Sequence, residues 1–200
     1  MSAISAQAVS SLRTKTGASM MECKHALSEA GGDEQKAVEI LRQKGLKAAD
    51  KKADRATSQG RVYSYIHHNQ RVGVMVQLAC ETDFVARSEE FEALCRELSM
   101  HIAGASPVPM AVSVADIPKE LVDEERRILL GSQDLLGKPE NIREKIVAGR
   151  IEKFVQERAL LEQEDLRDPT VKVGDRLKGA IARLGENIKI ERFARFELGA

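Results

Sequence analysis

The chain has 200 residues, of which 42% are hydrophobic and only 4% are aromatic, and it contains no tryptophan. This composition predicts a folded protein of one compact domain or two small ones, with a core of aliphatic and methionine side chains. Its 31 basic and 31 acidic residues balance, which argues against a strong surface field for nucleic acid or an anionic membrane.

Three short helices are predicted in the first 50 residues. Each helical stretch follows a serine or an aspartate that can cap its first turn, and each stops at a glycine. A polar stretch without periodicity comes next, so we assign residues 1–50 to a helical module and residues 51–60 to a linker or a frayed helix end. The predicted caps are Ser5, Ser19 and Asp33, and the predicted stops are Gly17, the pair Gly31 and Gly32, and Gly45.

A β-hairpin is predicted from Arg61, where the apolar period changes to two. Its strands are RVYSYIHH and RVGVMVQLAC, with a turn at Asn69 and Gln70 between them. The second strand carries five alternating apolar residues, which should face the core. They are Val72, Val74, Val76, Leu78 and Cys80.

A helical period returns at Ser88 and predicts a helix with one apolar stripe. Pro118 and Pro139 are placed in the first turns of two later helices, the second of them long and amphipathic. Residues 168–170 are expected to form a turn that leads into a last short helix, VGDRLKGAIARLG. The stripe of the helix after Ser88 consists of Phe91, Leu94, Cys95, Leu98 and Ile102.

The last predicted strand is NIKIERFARFEL, and the phase of its alternation is ambiguous. In a regular strand, Arg192 and Ala194 would share a face with Ile188 and Ile190. Together with the hairpin, this strand predicts an antiparallel sheet with packed helices. We therefore predict an α+β fold in which an N-terminal three-helix module precedes an α+β core over residues 61–200.

Cysteine usage and the first residues favour a reducing, cytoplasmic compartment. The start of the chain has neither a basic segment nor a long apolar segment, so no signal peptide is expected. No stretch approaches the ~20 apolar residues of a membrane span. Cys23, Cys80 and Cys95 match no metal or disulfide pattern, so we expect reduced, buried thiols.

No catalytic constellation and no phosphate-binding loop are recognisable in the sequence. None of the four histidines, His25, His67, His68 and His101, has a known catalytic spacing. Vicinal residues on a strand point to opposite faces, so His67 and His68 are not expected to chelate one metal. The sequence therefore gives no positive sign of an enzyme, a cofactor or a metal site.

Met20 and Met21 stand side by side in the first turn of the second predicted helix, about 100° apart around its axis. Spacing alone favours one methionine in the core and the other on the surface. The alternative is an adaptable apolar contact patch, a role that suits the flexible methionine side chain.

The stretch CETDFVARSEEF joins the hairpin to the helix after Ser88 and places Phe84 at a corner. Spacing alone favours a capping interpretation, in which Thr82 or Asp83 caps the helix and Phe84 staples the turn to the core. The alternative is that Asp83 and Phe84 project together into a partner. We call residues 82–84 the TDF turn.

Around these two features the sequence resembles the elongation factor Ts family, the guanine-nucleotide exchange factors of elongation factor Tu. LRTKTGASMMECKHAL is similar to the family's N-terminal signature and CETDFVARSEEF to its core signature. MHIAGASPVPM, VAGRIEKFVQE and IERFARFELG resemble later family segments in the same order. Ser19, Glu22 and His25 depart mildly from the family's common residues. Since the helix after the TDF turn runs directly into MHIAGASPVPM, we expect the short form of the family.

The resemblance implies a ubiquitin-associated-like N-terminal module that grips a helix of the GTPase domain of elongation factor Tu. It implies a TDF turn that enters near the magnesium of the nucleotide and promotes GDP release without covalent chemistry. The expected partner is elongation factor Tu, GDP-bound or nucleotide-free, with no cofactor and no direct nucleic acid or membrane, and the core would form a homodimer. The implied partner-binding residues are Met20, Met21, Thr82, Asp83, Phe84, Val85 and His101.

Two other functions stay open at this point. A helical module of this kind would suit an adaptor without exchange activity, and an unrecognised site would suit a metabolic enzyme. The TDF turn discriminates against the adaptor, because an adaptor needs only the N-terminal module.

Overall fold

The computed structural model describes residues 4–199, and within that range the chain has the α+β architecture that the sequence predicts. The helices are α1 (Ala6–Thr16), α2 (Met20–Glu29), α3 (Glu34–Asp50), α4 (Asp83–Ala86), α5 (Glu89–Gly104), α6 (Lys119–Leu130), α7 (Glu140–Arg158) and α8 (Val173–Leu184). The strands are β1 (Gln59–Ile66), β2 (Val72–Cys80), β3 (Glu164–Asp165), β4 (Asp168–Lys172) and β5 (Ile188–Glu197). Short 3₁₀ helices cover Val114–Asp116, Gln133–Leu135 and Leu160–Glu162. Within residues 4–199, none of the helices combines the length and the apolar character of a membrane span.

Helices α1, α2 and α3 pack as a three-helix unit that fits the ubiquitin-associated-like module. Its predicted caps form, because the side chains of Ser5, Ser19 and Asp33 each accept a hydrogen bond from the backbone N–H three residues further on. Gly17 ends α1 in the left-handed conformation, as predicted. A small core of its own holds the unit together, made of Val9, Leu12, Cys23, Ala26, Leu27 and Ala37.

Helix α3 does not stop at Gly45, so this part of the sequence prediction is wrong. The helix continues through Gly45 to Asp50, and Ala49 is buried in the main core. In this part α3 lies against α8, where a Cβ atom on Gly45 would meet the Cβ of Ala182 at 3.4 Å. Packing against α8 therefore outweighs the weak helix propensity of a single glycine. Residues 51–58 then lead through turns to β1.

Strand β2 is the centre of the main sheet, with β1 and β5 antiparallel on either side. Its alternating apolar residues face the core, as predicted. The predicted stripe of α5 packs against this face, and α8 completes the layer. The main core thus lies between one face of a three-stranded sheet and two helices.

Strand β5 changes phase in its middle, which resolves the phase that the sequence leaves ambiguous, because Arg192 and Ala194 do not share a face with Ile188 and Ile190. Ile190 pairs with Leu78 but Arg192 pairs with Gln77, so one residue, Glu191, is inserted as a β-bulge. After the bulge, Phe193 packs against the main core, whereas Arg192 and Ala194 are exposed. A bulge depends on the partner strand, so the sequence of β5 alone does not reveal it.

The segment between α5 and α8 contains a helical hairpin and a small second sheet. Helices α6 and α7 begin directly after Pro118 and Pro139, which occupy the position before each helix. Residues 168–170, predicted as a turn, belong instead to β4, which pairs with β3. The turn prediction was wrong because a two-residue partner strand leaves no periodic signal.

All three cysteines are buried free thiols in the described part of the chain, in agreement with the expectation of reduced, buried residues. Burial raises the pKa of Cys80, and it raises the pKa of Cys95 to about 12. Both thiols therefore stay protonated near neutral pH, a state that reacts slowly with electrophiles.

We predict that Gly45→Ala stabilises the protein by about 0.5–1 kcal/mol, because alanine loses less backbone entropy than glycine when it enters a helix. The added methyl group has room, since its nearest neighbour would lie at 3.4 Å. The measurement is the free energy of unfolding from urea titrations of wild type and variant.

Gly17→Ala is the matched control and should destabilise the protein by about 1 kcal/mol, because an L-residue is strained in the left-handed region. Gly17 has a φ of +69°, and a Cβ at this position would also lie 2.6 Å from Cδ of Arg183, so that side chain would have to move. A loss of stability of this size in Gly45→Ala would contradict the prediction.

Candidate functional site

The corner after β2 consists of two capped helices in quick succession. Thr82 caps the four-residue helix α4, and its Oγ1 accepts a hydrogen bond from the backbone N–H of Val85 at 3.4 Å. Ser88 caps α5 and accepts from the backbone N–H of Phe91 at 3.2 Å. The chain therefore makes a tight corner in which the TDF turn opens α4.

Phe84 points away from the protein, and its exposed fraction is 84%. The residues that follow it are anchored, because Val85 packs against the main core and Ala86 is buried within it. The interpretation of Phe84 as a hydrophobic staple is therefore wrong. A large aromatic side chain instead stands in solvent on a segment whose backbone is fixed to the core.

Asp83 lies beside Phe84 as the first residue of α4 and is not the cap. Its Oδ2 is 3.2 Å from Nη2 of Arg87, one helical turn further on, and both side chains are largely open to solvent. Exposed ion pairs of this spacing contribute little free energy. The carboxylate can therefore leave Arg87 at small cost when another positive group approaches.

Glu186, in the loop between α8 and β5, holds the start of this corner. Its Oε2 accepts from the backbone N–H groups of Glu81 and Thr82 at 3.1 and 3.0 Å. Its Oε1 accepts from the hydroxyl of Thr82 at 2.5 Å. Sequence reasoning missed this residue. The available signal was a carboxylate directly after Gly185, which ends α8 in the left-handed conformation.

The same loop also donates a hydrogen bond to the corner, through Asn187. The carboxylate of Glu81 accepts from the backbone N–H of Asn187 at 2.6 Å, and this bond, helped by Arg55, lowers the pKa of Glu81. The side-chain amide of Asn187 donates to the carbonyl groups of Ala53 and Arg55 at 3.1 and 2.8 Å. Three separate chain segments therefore meet behind the TDF turn.

Met20 and Met21 form a second exposed apolar feature at the start of α2, with exposed fractions of 43% and 59%. The expectation that one of them is buried is wrong, because Cys23, Ala26 and Leu27 supply the buried face of α2. Both methionines are therefore available for contact.

The first turn of α2 is held by a capping box between Ser19 and Glu22. The hydroxyl and the backbone N–H of Ser19 both donate to the carboxylate of Glu22, at 2.7 and 2.9 Å. These two bonds lower the pKa of Glu22, the hydroxyl being the larger cause. The cap fixes the backbone that carries both methionines.

His101 lies apart from these exposed residues, with an exposed fraction of 4%. Its Nε2 is 3.0 Å from Oε1 of Gln163, and its Nδ1 accepts from the backbone N–H of Leu166 at 3.4 Å. Since Nδ1 accepts, Nε2 donates to Gln163. In this conformation His101 ties α5 to the segment that contains β3 and offers almost no surface to a partner.

Metal chemistry has no candidate site in residues 4–199, where no three His, Cys, Asp or Glu side chains come together as metal ligands would. The exposed side chains of the site are suited to contact with another molecule. It consists of one exposed phenylalanine with a neighbouring carboxylate on a braced corner, and two exposed methionines on a capped helix.

Comparison with known proteins gives a consistent result along the chain. The family model described as Elongation factor TS matches residues 5–200. The chain is 54% identical over 199 residues to Elongation factor Ts of Synechococcus elongatus, which covers 100% of this chain and 90% of that protein. It is 54% identical over 196 residues to Elongation factor Ts of Caldanaerobacter subterraneus, which covers 98% of this chain and 97% of that protein. Elongation factor Ts of Microcystis aeruginosa is also 54% identical, over 100% of this chain and 79% of its own length.

We predict that Glu22→Gln lowers the free energy of unfolding near neutral pH by about 0.5 kcal/mol, a small value because the carboxylate is largely solvated. The folded protein lowers the pKa of Glu22. The stabilisation is therefore complete above the unfolded pKa and is lost as pH falls through the folded pKa. The difference between the two proteins should shrink between about pH 7 and about pH 3.

Urea titrations at the two pH values test this prediction, with Glu39→Gln as a control that removes an exposed carboxylate in the middle of α3. A Glu22→Gln difference that stays constant over this pH range would mean that the charge of Glu22 does not support the cap.

Proposed function

The chain belongs to the elongation factor Ts family, and we propose that it binds GDP-bound elongation factor Tu and promotes release of GDP so that GTP can bind. Family membership makes it a translation elongation factor that acts in protein biosynthesis. The observation that supports the exchange step is Phe84, an aromatic side chain 84% exposed on a corner that the core fixes from behind.

Phe84 acts in this proposal as a steric wedge. A GTPase holds its nucleotide through Mg²⁺ and through backbone N–H groups around the phosphates. Magnesium requires near-octahedral geometry with short ligand distances, so a small displacement of its ligands costs much of its binding free energy. A rigid aromatic ring can impose such a displacement, because the corner behind it does not yield.

Asp83 acts electrostatically beside the wedge. Its ion pair with Arg87 is exposed and therefore weak. In the complex, the carboxylate leaves Arg87 and contacts groups around the magnesium ion. There it competes with the ligands of the ion or redirects them. Thr82 and Val85 support both residues, the first by capping α4 and the second by anchoring it to the core.

Met20 and Met21 supply the grip. Both are exposed at the start of a capped helix, and methionine adapts its shape to an apolar groove. We assign this grip to a module of residues 1–50 and the wedge to a core of residues 61–200, with residues 51–60 as the connection, of which Gln59 and Gly60 already lie in β1. His101, which is buried, contributes indirectly by holding the segment around Gln163.

Exchange requires no covalent step and no cofactor of the chain's own. The factor must only bind nucleotide-free elongation factor Tu better than nucleotide-bound elongation factor Tu. Binding free energies are coupled reciprocally, so nucleotide weakens the factor by the same ratio by which the factor weakens nucleotide. Excess GTP therefore displaces the factor and completes the cycle.

We also propose that the chain forms a homodimer through the outer face of the main sheet. Phe196 of β5 pairs with Gly73 of β2, and Gly73 pairs with Ile66 of β1. The side chains of Ile66 and Phe196 are exposed, and so are Val62 and Met75 on the same face. An apolar patch that spans three strands suits a second copy of itself in a two-fold arrangement.

We predict that Phe84→Ala and Asp83→Ala each slow GDP release from elongation factor Tu by about tenfold, the factor that follows from ~1.4 kcal/mol of lost interaction. Their response to magnesium should differ. Excess chelator removes Mg²⁺, so the disturbance of the ion by Asp83 is no longer needed and the Asp83→Ala defect should shrink. Part of the Phe84→Ala defect should remain, because the ring also displaces protein elements around the phosphates. The measurement is stopped-flow release of fluorescent GDP over a series of factor concentrations.

The double variant Met20→Ala, Met21→Ala is the control in the same experiment. It should raise the half-saturating factor concentration and leave the plateau rate unchanged, because a grip contributes to binding and not to the displacement step. Wild-type release rates in both Phe84→Ala and Asp83→Ala would contradict the proposal. A chain that binds elongation factor Tu without accelerating release would instead be an adaptor.

For the homodimer, we predict that Met75→Glu gives the mass of one chain at concentrations where wild type gives the mass of two, because a buried unpaired carboxylate opposes association. Size-exclusion chromatography with light scattering measures both. Met100→Glu is the matched control, since Met100 is an exposed methionine on α5 and not on the sheet. A monomeric wild type would refute the proposal.

A further inference from the structure

We propose that Glu186 is a positioning residue for nucleotide exchange, whose carboxylate sets the direction in which Phe84 and Asp83 project. Glu186 itself makes no contact with the nucleotide site in this proposal. It acts through the TDF turn, to which it is joined across a sequence separation of 104 residues. The inference rests on the proposed exchange function, and each of the two can fail without the other.

The hydrogen bonds of Glu186 hold residues 81 and 82, where the backbone direction of the TDF turn is determined. Two backbone N–H groups, those of Glu81 and Thr82, donate to one carboxylate oxygen at 3.1 and 3.0 Å. The Thr82 hydroxyl donates to the other oxygen at 2.5 Å. Hydrogen bonds to an ionised acceptor are about twice as strong as neutral ones. A rotation of the chain at residues 81–82 would break all three.

Local bonds alone would hold the turn weakly. Helix α4 has only four residues, and the cap bond from Val85 to Thr82 is long, at 3.4 Å. On the C-terminal side, Val85 and Ala86 are fixed by the core. Glu186 supplies the matching restraint on the N-terminal side, so Phe84 stands between two fixed points.

The restraint also includes the segment that leads from the helical module. Asn187, next to Glu186, donates from its side chain to the carbonyl groups of Ala53 and Arg55. Its backbone N–H donates to the carboxylate of Glu81 at 2.6 Å. The loop 185–187 therefore fixes the TDF turn and the segment after α3 to one another. The wedge and the grip must contact one partner at the same time, so their relative positions have to be fixed in this way.

The test measures GDP release from elongation factor Tu over a series of factor concentrations, with full-length Glu186→Ala and Glu186→Gln. Glu186→Ala should lower the plateau rate about tenfold and change the half-saturating concentration little, because the grip is untouched. Glu186→Gln keeps one acceptor oxygen of the same shape and should fall between alanine and wild type. Circular dichroism confirms that each variant is folded at the assay temperature. Glu191→Ala is the matched control, an exposed glutamate on β5, and should behave as wild type.

A double-mutant cycle separates positioning from general destabilisation. If Glu186 acts by aiming Phe84 and Asp83, then Glu186→Ala should add less than about a twofold defect when both are already alanine. A full additional defect in that background would overturn the proposal, and so would a wild-type plateau in Glu186→Ala alone. If wild type itself does not accelerate GDP release, the exchange function fails, which is a separate result.

Discussion

The corner before α5 depends on two carboxylates that exchange hydrogen bonds over a sequence separation of about a hundred residues. Glu186 accepts from the backbone that follows β2, and Glu81 accepts from the backbone that follows α8. This exchange requires β2 and β5 to be paired as far as Cys80 and Ile188, so the register of the sheet determines which carboxylate meets which amide. With core packing below and these bonds behind, Phe84 is the part of the corner left in solvent.

The sequence predicts most of the secondary structure, because periodic burial leaves a periodic pattern of apolar residues. Strand β2 and the stripe of α5 follow this rule, since both turn one regular face to the main core. The sequence fails where a distant partner decides. Helix α3 passes Gly45 because α8 packs against it, and β5 changes phase at Glu191 because β2 imposes a bulge. Neither partner is encoded in the local pattern.

The candidate site is less predictable from spacing than the secondary structure is. Spacing alone favours a buried methionine and a stapled Phe84, because most apolar side chains near the start of a helix pack into the core. The resemblance implies that the same residues contact a partner, and the structure leaves Met20, Met21 and Phe84 exposed. Glu186 could not be found in this way. A carboxylate that bonds backbone N–H groups needs no particular residue type at the other end, so it leaves no paired signal in the sequence.

Helix α3 belongs to both hydrophobic cores, with Ile40 and Leu41 packed in the small core and Ala49 in the main one. The small core is marginal in size, so a local opening of α1 and α2 should cost less free energy than global unfolding. Such an opening would leave the last turns of α3 folded against α8. The first turn of a helix is the unfavourable step, because several residues are fixed for one hydrogen bond, whereas each further residue adds a bond of its own. Any part of α3 that opened with them would therefore re-form by propagation from an existing nucleus, whereas α1 and α2 would each need a nucleation event of their own.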